Sequence, residues 1–186
     1  MAHEQREYPL FSACGLNCGL CPRYHTNGAS RCPGCAGEGF AQKHPPCGVL
    51  SCSRRCGVQY CFACAEYPCK RFDGADQWDS FITHKNQLSD LEKAKSIGIN
   101  AYQAQLNEKV ALLEHLLKNY DDGRRKSFFC IAVNLLELKD LKNVMNALDK
   151  QAQAPLKQRA AFAVDGFTQM AKDSGIALRL RKKRKA

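Results

Sequence analysis

Cysteines crowd into one short stretch of this chain. Eleven of the twelve lie between positions 14 and 69, and three of the intervals are C-x-x-C. Two thiolates three positions apart on a tight turn can both bind one tetrahedral ion about 2.3 Å away. Three such pairs in one segment predict metal binding rather than a conventional hydrophobic fold. The candidate ligands are Cys14, Cys18, Cys21, Cys32, Cys35, Cys47, Cys52, Cys56, Cys61, Cys64 and Cys69.

The segment that holds these cysteines has little material for a core. Residues 1–74 contain only fifteen large apolar or tyrosine side chains, and glycines and prolines interrupt every helical or strand period. A segment this poor in apolar side chains needs staples or metals to fold. Structural zinc can supply about 10–16 kcal/mol of apparent folding free energy. We therefore expect residues 1–74 to form an irregular, zinc-stabilised module.

Spacing favours two sets of four thiolates. The first set joins two C-x-x-C pairs across a ten-residue connector: Cys18, Cys21, Cys32 and Cys35. The second set is Cys52, Cys56, Cys61 and Cys64. A third site would combine the three remaining ligands with a histidine: Cys14, Cys47 and Cys69, with His25 or His44. We expect two zinc ions, or three if this last set forms; otherwise the two histidines are surface residues.

Other uses of the cysteines are open at this point. Cys14-x-x-x-Cys18-x-x-Cys21 has the spacing of radical S-adenosylmethionine enzymes, whose three cysteines hold an iron–sulfur cluster. Those enzymes need a barrel of alternating strands and helices after the motif, and this sequence does not predict one. Disulfides would require an oxidising compartment. Residues 1–13 contain no apolar segment after a basic start, so we expect no secretory signal and a cytoplasmic location.

The composition changes completely after Gly74. One cysteine and one proline remain in residues 75–186, Cys130 and Pro155. Apolar residues recur every three or four positions from Ile99 to Tyr120, which predicts an amphipathic helix of about six turns. Similar patterns predict one or two helices that include Trp78 and Phe81 and end before Gly98, and three more between residues 127 and 175. We expect residues 75–178 to be a helical bundle of four or five helices, with Cys130 in its core.

Positive charge is concentrated at the C-terminus. Six of the formal +10 charges belong to Arg179, Arg181, Lys182, Lys183, Arg184 and Lys185. This cationic tail, residues 179–186, is predicted to be disordered; it could contact nucleic acid or anionic lipid, or serve only to keep the protein soluble. Residues 123–127 place three cations before a helix start, which suggests either an anion site or a solvated loop paired with Asp121 and Asp122.

The cysteine pattern resembles a known family. The motifs that carry the resemblance are Cys14-Gly-Leu-Asn-Cys18-Gly-Leu-Cys21, Cys32-Pro-Gly-Cys35 and the run from Cys61 to Cys69. Together, over about residues 12–73, they are similar to a family of small cysteine-rich microbial proteins catalogued only as a domain of unknown function. The resemblance implies a cytoplasmic, zinc-binding protein and supplies no activity. His25 and His44 do not belong to the family pattern.

These observations predict a mainly α chain: a zinc-stabilised cysteine-rich module followed by a helical bundle. Four thiolates around a zinc ion leave no position for a reactive water, so we predict closed, structural sites and no catalytic residue. The expected function is that of an interaction or regulatory module with a protein partner. The alternatives are an iron–sulfur redox or cluster enzyme that uses Cys14, Cys18 and Cys21, and a nucleic-acid binder that uses the tail. No apolar run is long enough to predict a membrane span.

Overall fold

The structure is a computed structural model that describes residues 5–75, 77–150 and 153–182. Seven α-helices and three short 3-10 turns are found in these ranges, and no β-strand. The prediction of a mainly helical chain with an irregular cysteine-rich beginning is confirmed. The α-helices are α1 (Phe40–Lys43), α2 (Gly48–Arg55), α3 (Gln87–Ile97), α4 (Ile99–Asn119), α5 (Lys126–Leu135), α6 (Leu138–Asp149) and α7 (Leu156–Asp173).

Contacts divide the chain into two compact units. The first unit comprises the chain up to Leu106 together with the segment that starts at Leu180, and the second unit is Asn107–Arg179. This division differs from the predicted boundary between residues 74 and 75. Helix α3 and the first two turns of α4 belong with the cysteine-rich segment, which has too few apolar side chains to complete a core alone.

Buried side chains in the first unit join the cysteine-rich segment to these two helices. Phe11 is fully buried, and its ring centroid lies 4.5 Å from that of Tyr102 on α4 and 5.5 Å from that of Tyr60. Gly15 lies so close to α3 that a Cβ atom there would be 2.6 Å from Cγ of Leu91. Its positive φ of 91° is a conformation that glycine adopts at no steric cost.

Polar contacts reinforce the same junction. The side chain of Asn17 is buried; its Nδ2 donates to Oδ2 of Asp90 at 2.8 Å, and its Oδ1 accepts from the hydroxyl of Tyr102 at 2.9 Å. Nε2 of Gln87 donates to the carbonyl oxygen of Cys14 at 3.0 Å. Buried polar groups need such partners, so these bonds favour one docking of α3 and α4 on the segment.

The second unit has a conventional apolar core. Most of α5 is buried, as its nearly continuous apolar sequence predicts, and Phe129 packs against Phe167 of α7 at a centroid distance of 6.2 Å. Helices α6 and α7 pack against each other and bury Leu148 and Phe167 completely. Cys130 is buried in α5, as predicted. The ends of α4 and α7 also agree with the predicted helices to within a residue or two.

The chain between the cysteine-rich segment and α3 differs from the prediction. Trp78 and Phe81 were expected on the buried side of a helix, but residues 77–86 are irregular, and these two rings are 42% and 59% exposed. In this stretch Ile82 and Thr83 are buried, and the side chain of Asp79 has no exposed surface. The apolar spacing of 78, 81 and 82 fits a helix, yet the segment is fixed by Asp79 rather than by an apolar face.

Asp79 binds the predicted C-terminal tail. Nη2 of Arg181 donates to Oδ1 of Asp79 at 2.7 Å, and the backbone N–H of Arg181 donates to Oδ2 at 2.6 Å. The backbone N–H of Asp79 donates in turn to the carbonyl oxygen of Arg181 at 2.9 Å. The structure thus differs from the predicted disorder at Arg181, while the end of that tail, residues 183–186, lies outside the described residues.

Candidate metal centres

Six of the candidate ligands line one cavity in the first unit. Its volume is about 110 Å³, and the rest of its wall includes apolar side chains such as Leu50 and Ile82 and polar ones such as Arg23 and His44. Three of the sulfur-bearing residues, Cys18, Cys35 and Cys47, also pack in one small apolar cluster around Leu50. We call these six residues the first cysteine group. Its members are Cys14, Cys18, Cys21, Cys32, Cys35 and Cys47.

The other five candidate ligands line a second, smaller cavity. Its volume is about 20 Å³, and its wall also includes Tyr67, Arg71 and Phe72. A volume of about 10–15 Å³ already holds one water molecule, so the space is that of a single small ion or water. We call these residues the second cysteine group. Its members are Cys52, Cys56, Cys61, Cys64 and Cys69.

Local backbone geometry places the paired cysteines. Residues Cys18–Leu20 and Cys61–Ala63 each form one 3-10 turn. The N–H of Cys21 donates to the carbonyl oxygen of Cys18 at 3.1 Å, and that of Cys64 to Cys61 at 3.0 Å. These turns bring both sulfurs of a C-x-x-C pair to the same wall of a cavity, as a shared ion requires.

Helix α2 connects the two groups. Cys47 precedes its first residue, Cys52 lies within it, and Cys56 follows its last residue. The N–H of Cys61 donates to the carbonyl oxygen of Ala13 at 2.8 Å, which fixes the second group next to Cys14 of the first. The two cavities are therefore neighbours held by one short helix.

Burial dominates the electrostatics of the first group. It raises the pKa of the Cys18 thiol well above its ordinary value, and the nearby sulfurs of Cys35 and Cys14 raise this pKa further. Burial also raises the pKa of Cys35 to about 11. These thiols stay protonated at neutral pH unless a positive charge lies next to them. A divalent cation supplies such a charge, because ligation and deprotonation of a thiol are coupled.

Hydrogen-bonding groups already face two sulfurs of this group. Burial raises the pKa of Cys21, but hydrogen bonds from the backbone of Arg23 and Tyr24 act in the opposite direction. Oγ of Ser12 lies 3.1 Å from Sγ of Cys14. Donors aimed at a sulfur favour its thiolate form and commonly surround metal-bound thiolates.

In the second group, the pKa of one thiol is raised and that of another is lowered. Burial, followed by the sulfurs of Cys14 and Cys69, raises the pKa of Cys61 to about 12. By contrast, a hydrogen bond with the side chain of Arg71 lowers the pKa of Cys52. Nothing in the sequence indicated Arg71, since it is nineteen positions from Cys52 and is one of many basic residues.

The structure brings together the members of both predicted sets of four. Cys18, Cys21, Cys32 and Cys35 all lie in the first group, and Cys52, Cys56, Cys61 and Cys64 all lie in the second. The remaining three cysteines do not come together as the predicted third site. Two of them, Cys14 and Cys47, line the larger cavity, and Cys69 lines the smaller one.

The rings of His25 and His44 each form a hydrogen bond with a backbone carbonyl group. A ring nitrogen of His25 lies 2.7 Å from the carbonyl oxygen of Gly19, and one of His44 lies 2.7 Å from that of Pro45. The ring of His44 also stacks on Phe40, with centroids 4.5 Å apart, and it borders the larger cavity. Of the two, His44 alone is among the residues that line the cysteine cavities.

All twelve cysteines have free thiols. Throughout residues 5–75, 77–150 and 153–182, no three His, Cys, Asp or Glu side chains are already arranged as a metal-binding set. The donor chemistry fits a soft or borderline ion: each cavity is lined by at least five thiols, with no carboxylate among its lining residues. The helices in the described ranges include none that is both long and apolar enough to cross a membrane.

In the loop that precedes α5, backbone N–H groups donate to the loop's own acidic side chains. Oδ1 of Asp121 accepts from the N–H groups of Gly123 and Arg125 at 3.0 and 2.8 Å, and Oδ1 of Asp122 accepts from that of Arg124 at 3.1 Å. These carboxylates occupy the donors that an external anion would use. The interpretation as a self-paired loop is therefore favoured over an anion site.

The cysteine-rich segment matches the model of one protein family. Residues 10–74, about a third of the chain, match the model of the family described as "Protein of unknown function (DUF3795)". The resemblance to a domain of unknown function is thus confirmed for this segment, and the matched range contains all eleven candidate ligands. No curated protein and no solved structure matches the chain.

Proposed function

We propose that the two cysteine groups are zinc sites and that the protein is a zinc-stabilised interaction or regulatory module. The observation that carries this proposal is the sorting of the eleven cysteines into two groups, each around its own cavity. Each group contains one of the two predicted sets of four. Four thiolates satisfy tetrahedral zinc completely, which accounts for structure without catalysis.

The cysteine-rich segment has few buried apolar side chains, which supports a structural role for the proposed ions. Between Cys14 and Cys69 only Leu20 and Leu50 are large aliphatic side chains with nearly complete burial. Zinc bound at each group would cross-link turns that share few other contacts. The two groups would then fix the surface that the first unit presents to a protein partner.

A second candidate is an iron–sulfur cluster in the larger cavity. Cys14, Cys18 and Cys21, the predicted cluster ligands, line this cavity of about 110 Å³ together. Thiolates serve iron and zinc alike, so metal identity needs a direct measurement.

Metal analysis after anaerobic purification tests the proposal. The expected result is a colourless protein with at least two zinc ions per chain. Cys18→Ser and Cys61→Ser should each lower the zinc content by about one ion, because each removes a ligand from one group. Cys130→Ala is the matched control, since Cys130 is buried in α5 outside both groups, and it should retain all zinc.

Two results would contradict zinc. A brown protein with iron and acid-labile sulfide that Cys14→Ser abolishes would establish the iron–sulfur alternative. A reduced protein that holds neither metal would remove both candidates.

A further inference from the structure

The larger cavity is lined by more thiols than one tetrahedral ion can use. Six cysteines line it, whereas a zinc ion binds four ligands. Its volume of about 110 Å³ is about five times that of the smaller cavity, whose size suits a single small ion. If one ion bound the predicted set of four, Cys14 and Cys47 would be left over as two unused thiols in the same cavity.

Cys14 has the surroundings of a metal ligand rather than of an unused thiol. Ser12 is buried, and its Oγ accepts from the N–H of Leu16 at 2.7 Å. The hydroxyl hydrogen of Ser12 is therefore available for Sγ of Cys14, which lies 3.1 Å from Oγ. Burial raises the pKa of Cys14, while Ser12 and the backbone of Leu16 act in the opposite direction. Such donors favour the thiolate, which is the form that binds a metal.

Cys18 is close to most of the other sulfurs of the first group. Burial is the main reason that the pKa of its thiol is raised, and four other sulfurs raise this pKa further: Cys35, Cys14, Cys21 and Cys32. Burial also raises the pKa of Cys21, and the sulfur of Cys32 adds to this rise. Effects of this kind are appreciable only between neighbouring groups. Cys18 therefore lies near Cys14 and also near the pair of Cys21 and Cys32.

Cys35 is close to the remaining sulfurs. Burial raises its pKa, and the sulfurs of Cys14 and Cys47 add to this rise. It is three positions from Cys32 in sequence, and it packs in one apolar cluster with Cys18 and Cys47. The group thus consists of two inner sulfurs and two outer pairs. The inner sulfurs are those of Cys18 and Cys35, the first outer pair is Cys21 and Cys32, and the second outer pair is Cys14 and Cys47.

We propose that the first cysteine group binds two zinc ions that share the sulfurs of Cys18 and Cys35. One ion is bound by these two sulfurs and the first outer pair, which together are the predicted set of four. The other ion is bound by the same two sulfurs and the second outer pair. A thiolate has more than one lone pair, so it can bind two ions at once. This inference rests on the proposed zinc sites and raises the expected content to three zinc ions per chain, one of them in the second group.

Charge in the cavity also favours a pair of ions. Four thiolates around one zinc ion carry two net negative charges. A second zinc ion adds two positive charges, and the two further thiols that it deprotonates add two negative ones, so the net charge does not change. The second ion therefore uses the two remaining thiols without adding charge to a partly apolar cavity, where an uncompensated charge is costly.

Zinc analysis of the full-length, reduced protein is the first test. We expect three zinc ions per chain. Two ions per chain would overturn the pair and leave the proposed zinc sites standing, whereas a protein without zinc would overturn both. Iron and acid-labile sulfide in the protein would also overturn the pair.

Cys14→Ser and Cys47→Ser distinguish a pair of ions from a single ion. Six thiolates complete two tetrahedral ions when two of them are shared, and five do not. Each variant should therefore lose at least one of the three zinc ions. Around a single ion on the predicted set of four, both residues would be unused, so an unchanged zinc content would overturn the proposal. Cys130→Ala, outside both groups, is the control and should retain all three ions.

Cadmium-113 reports on the shared sulfurs directly and needs no substitution. Cadmium binds the same thiolate ligands as zinc, and NMR of the protein loaded with this isotope gives one signal per bound ion. The signals of the two ions in the first group should split each other, because scalar coupling passes through a common sulfur. The signal of the ion in the second group should not be split. Three signals without splitting would mean separate sites and would overturn the proposal.

Discussion

At the scale of single residues, a few buried polar side chains connect parts of the first unit that are distant in sequence. Asn17 stands between two cysteines in sequence, and its amide binds both Asp90 and Tyr102. Arg6 is comparable: it is buried, its guanidinium donates to the carbonyl oxygen of Phe11 at 3.1 Å, and it lies 4.5 Å from the ring centroid of Tyr60. Such residues hold parts of the first unit together where apolar contacts are few.

The pair of Asp79 and Arg181 gives a pH-dependent prediction at this scale. Burial alone would raise the pKa of the Asp79 carboxyl, but hydrogen bonds from Arg181 and from the backbone of His84 outweigh it, so this pKa lies below its ordinary value of 3.8. Because the folded-state pKa is lowered, the stabilisation is complete above pH 3.8. It is lost as the pH falls through the folded-state value.

Asp79→Asn should therefore lower the free energy of unfolding of the first unit by about 1–3 kcal/mol at neutral pH. Urea denaturation followed by Trp78 fluorescence measures this change. The comparison is made between about pH 6 and 7.5, where the wild-type Asp79 carboxyl is ionised and the proposed metal stays bound, so the difference should be constant over this range. Equal stability of variant and wild type at neutral pH would show that the ion pair does not stabilise the fold.

At the scale of elements, the two units use different physical means. Helices α5, α6 and α7 follow the 3.6-residue period and bury apolar faces, whereas the cysteine-rich turns follow no period. Helix α7 has one buried and one exposed face: Phe167 is fully buried, whereas Phe162 is 42% exposed.

Phe167→Ala should destabilise the second unit by about 3–5 kcal/mol, because it leaves a cavity against Phe129 and α6. Loss of helical circular dichroism in urea measures the effect. Phe162→Ala, on the exposed face of the same helix, should change stability by less than about 0.5 kcal/mol. Similar effects of the two substitutions would mean that α7 does not pack as described.

At the scale of the whole molecule, the two units should respond differently to loss of metal. A strong chelator under reducing conditions should unfold the first unit, because its core cannot hold without the proposed ions. The second unit, with its own apolar core, should keep its helices. Trp78 reports on the first unit alone, so its fluorescence should change while most of the helical circular dichroism persists.

Cys130→Ala serves as the control in this experiment, and it should behave as wild type. A first unit that keeps its tryptophan emission and its resistance to proteolysis after complete removal of metal would contradict the metal-stabilised core. Simultaneous collapse of all helices would contradict the independence of the two cores.

The periodic part of the sequence predicted its own structure well. The six-turn helix at α4, the central apolar α5 and the stop near Gly175 follow from spacing alone, because each depends on neighbours within a few positions. The failure at Trp78 and Phe81 arose because an apolar spacing of three and four also occurs in an irregular segment. There the Asp79–Arg181 pair, 102 positions apart, fixes the backbone instead.

The sequence by itself determined which residues are candidate metal ligands and which segments become helices, because ligand chemistry and helical period are local properties. Only the tertiary structure decided how the cysteines divide, since Cys14 and Cys47 join one cavity and Cys69 the other through contacts that spacing does not specify. It also decided that α3 and the start of α4 complete the cysteine-rich unit, and that Arg181 returns to Asp79. These outcomes depend on burial and on partners distant in the chain, which no local pattern encodes.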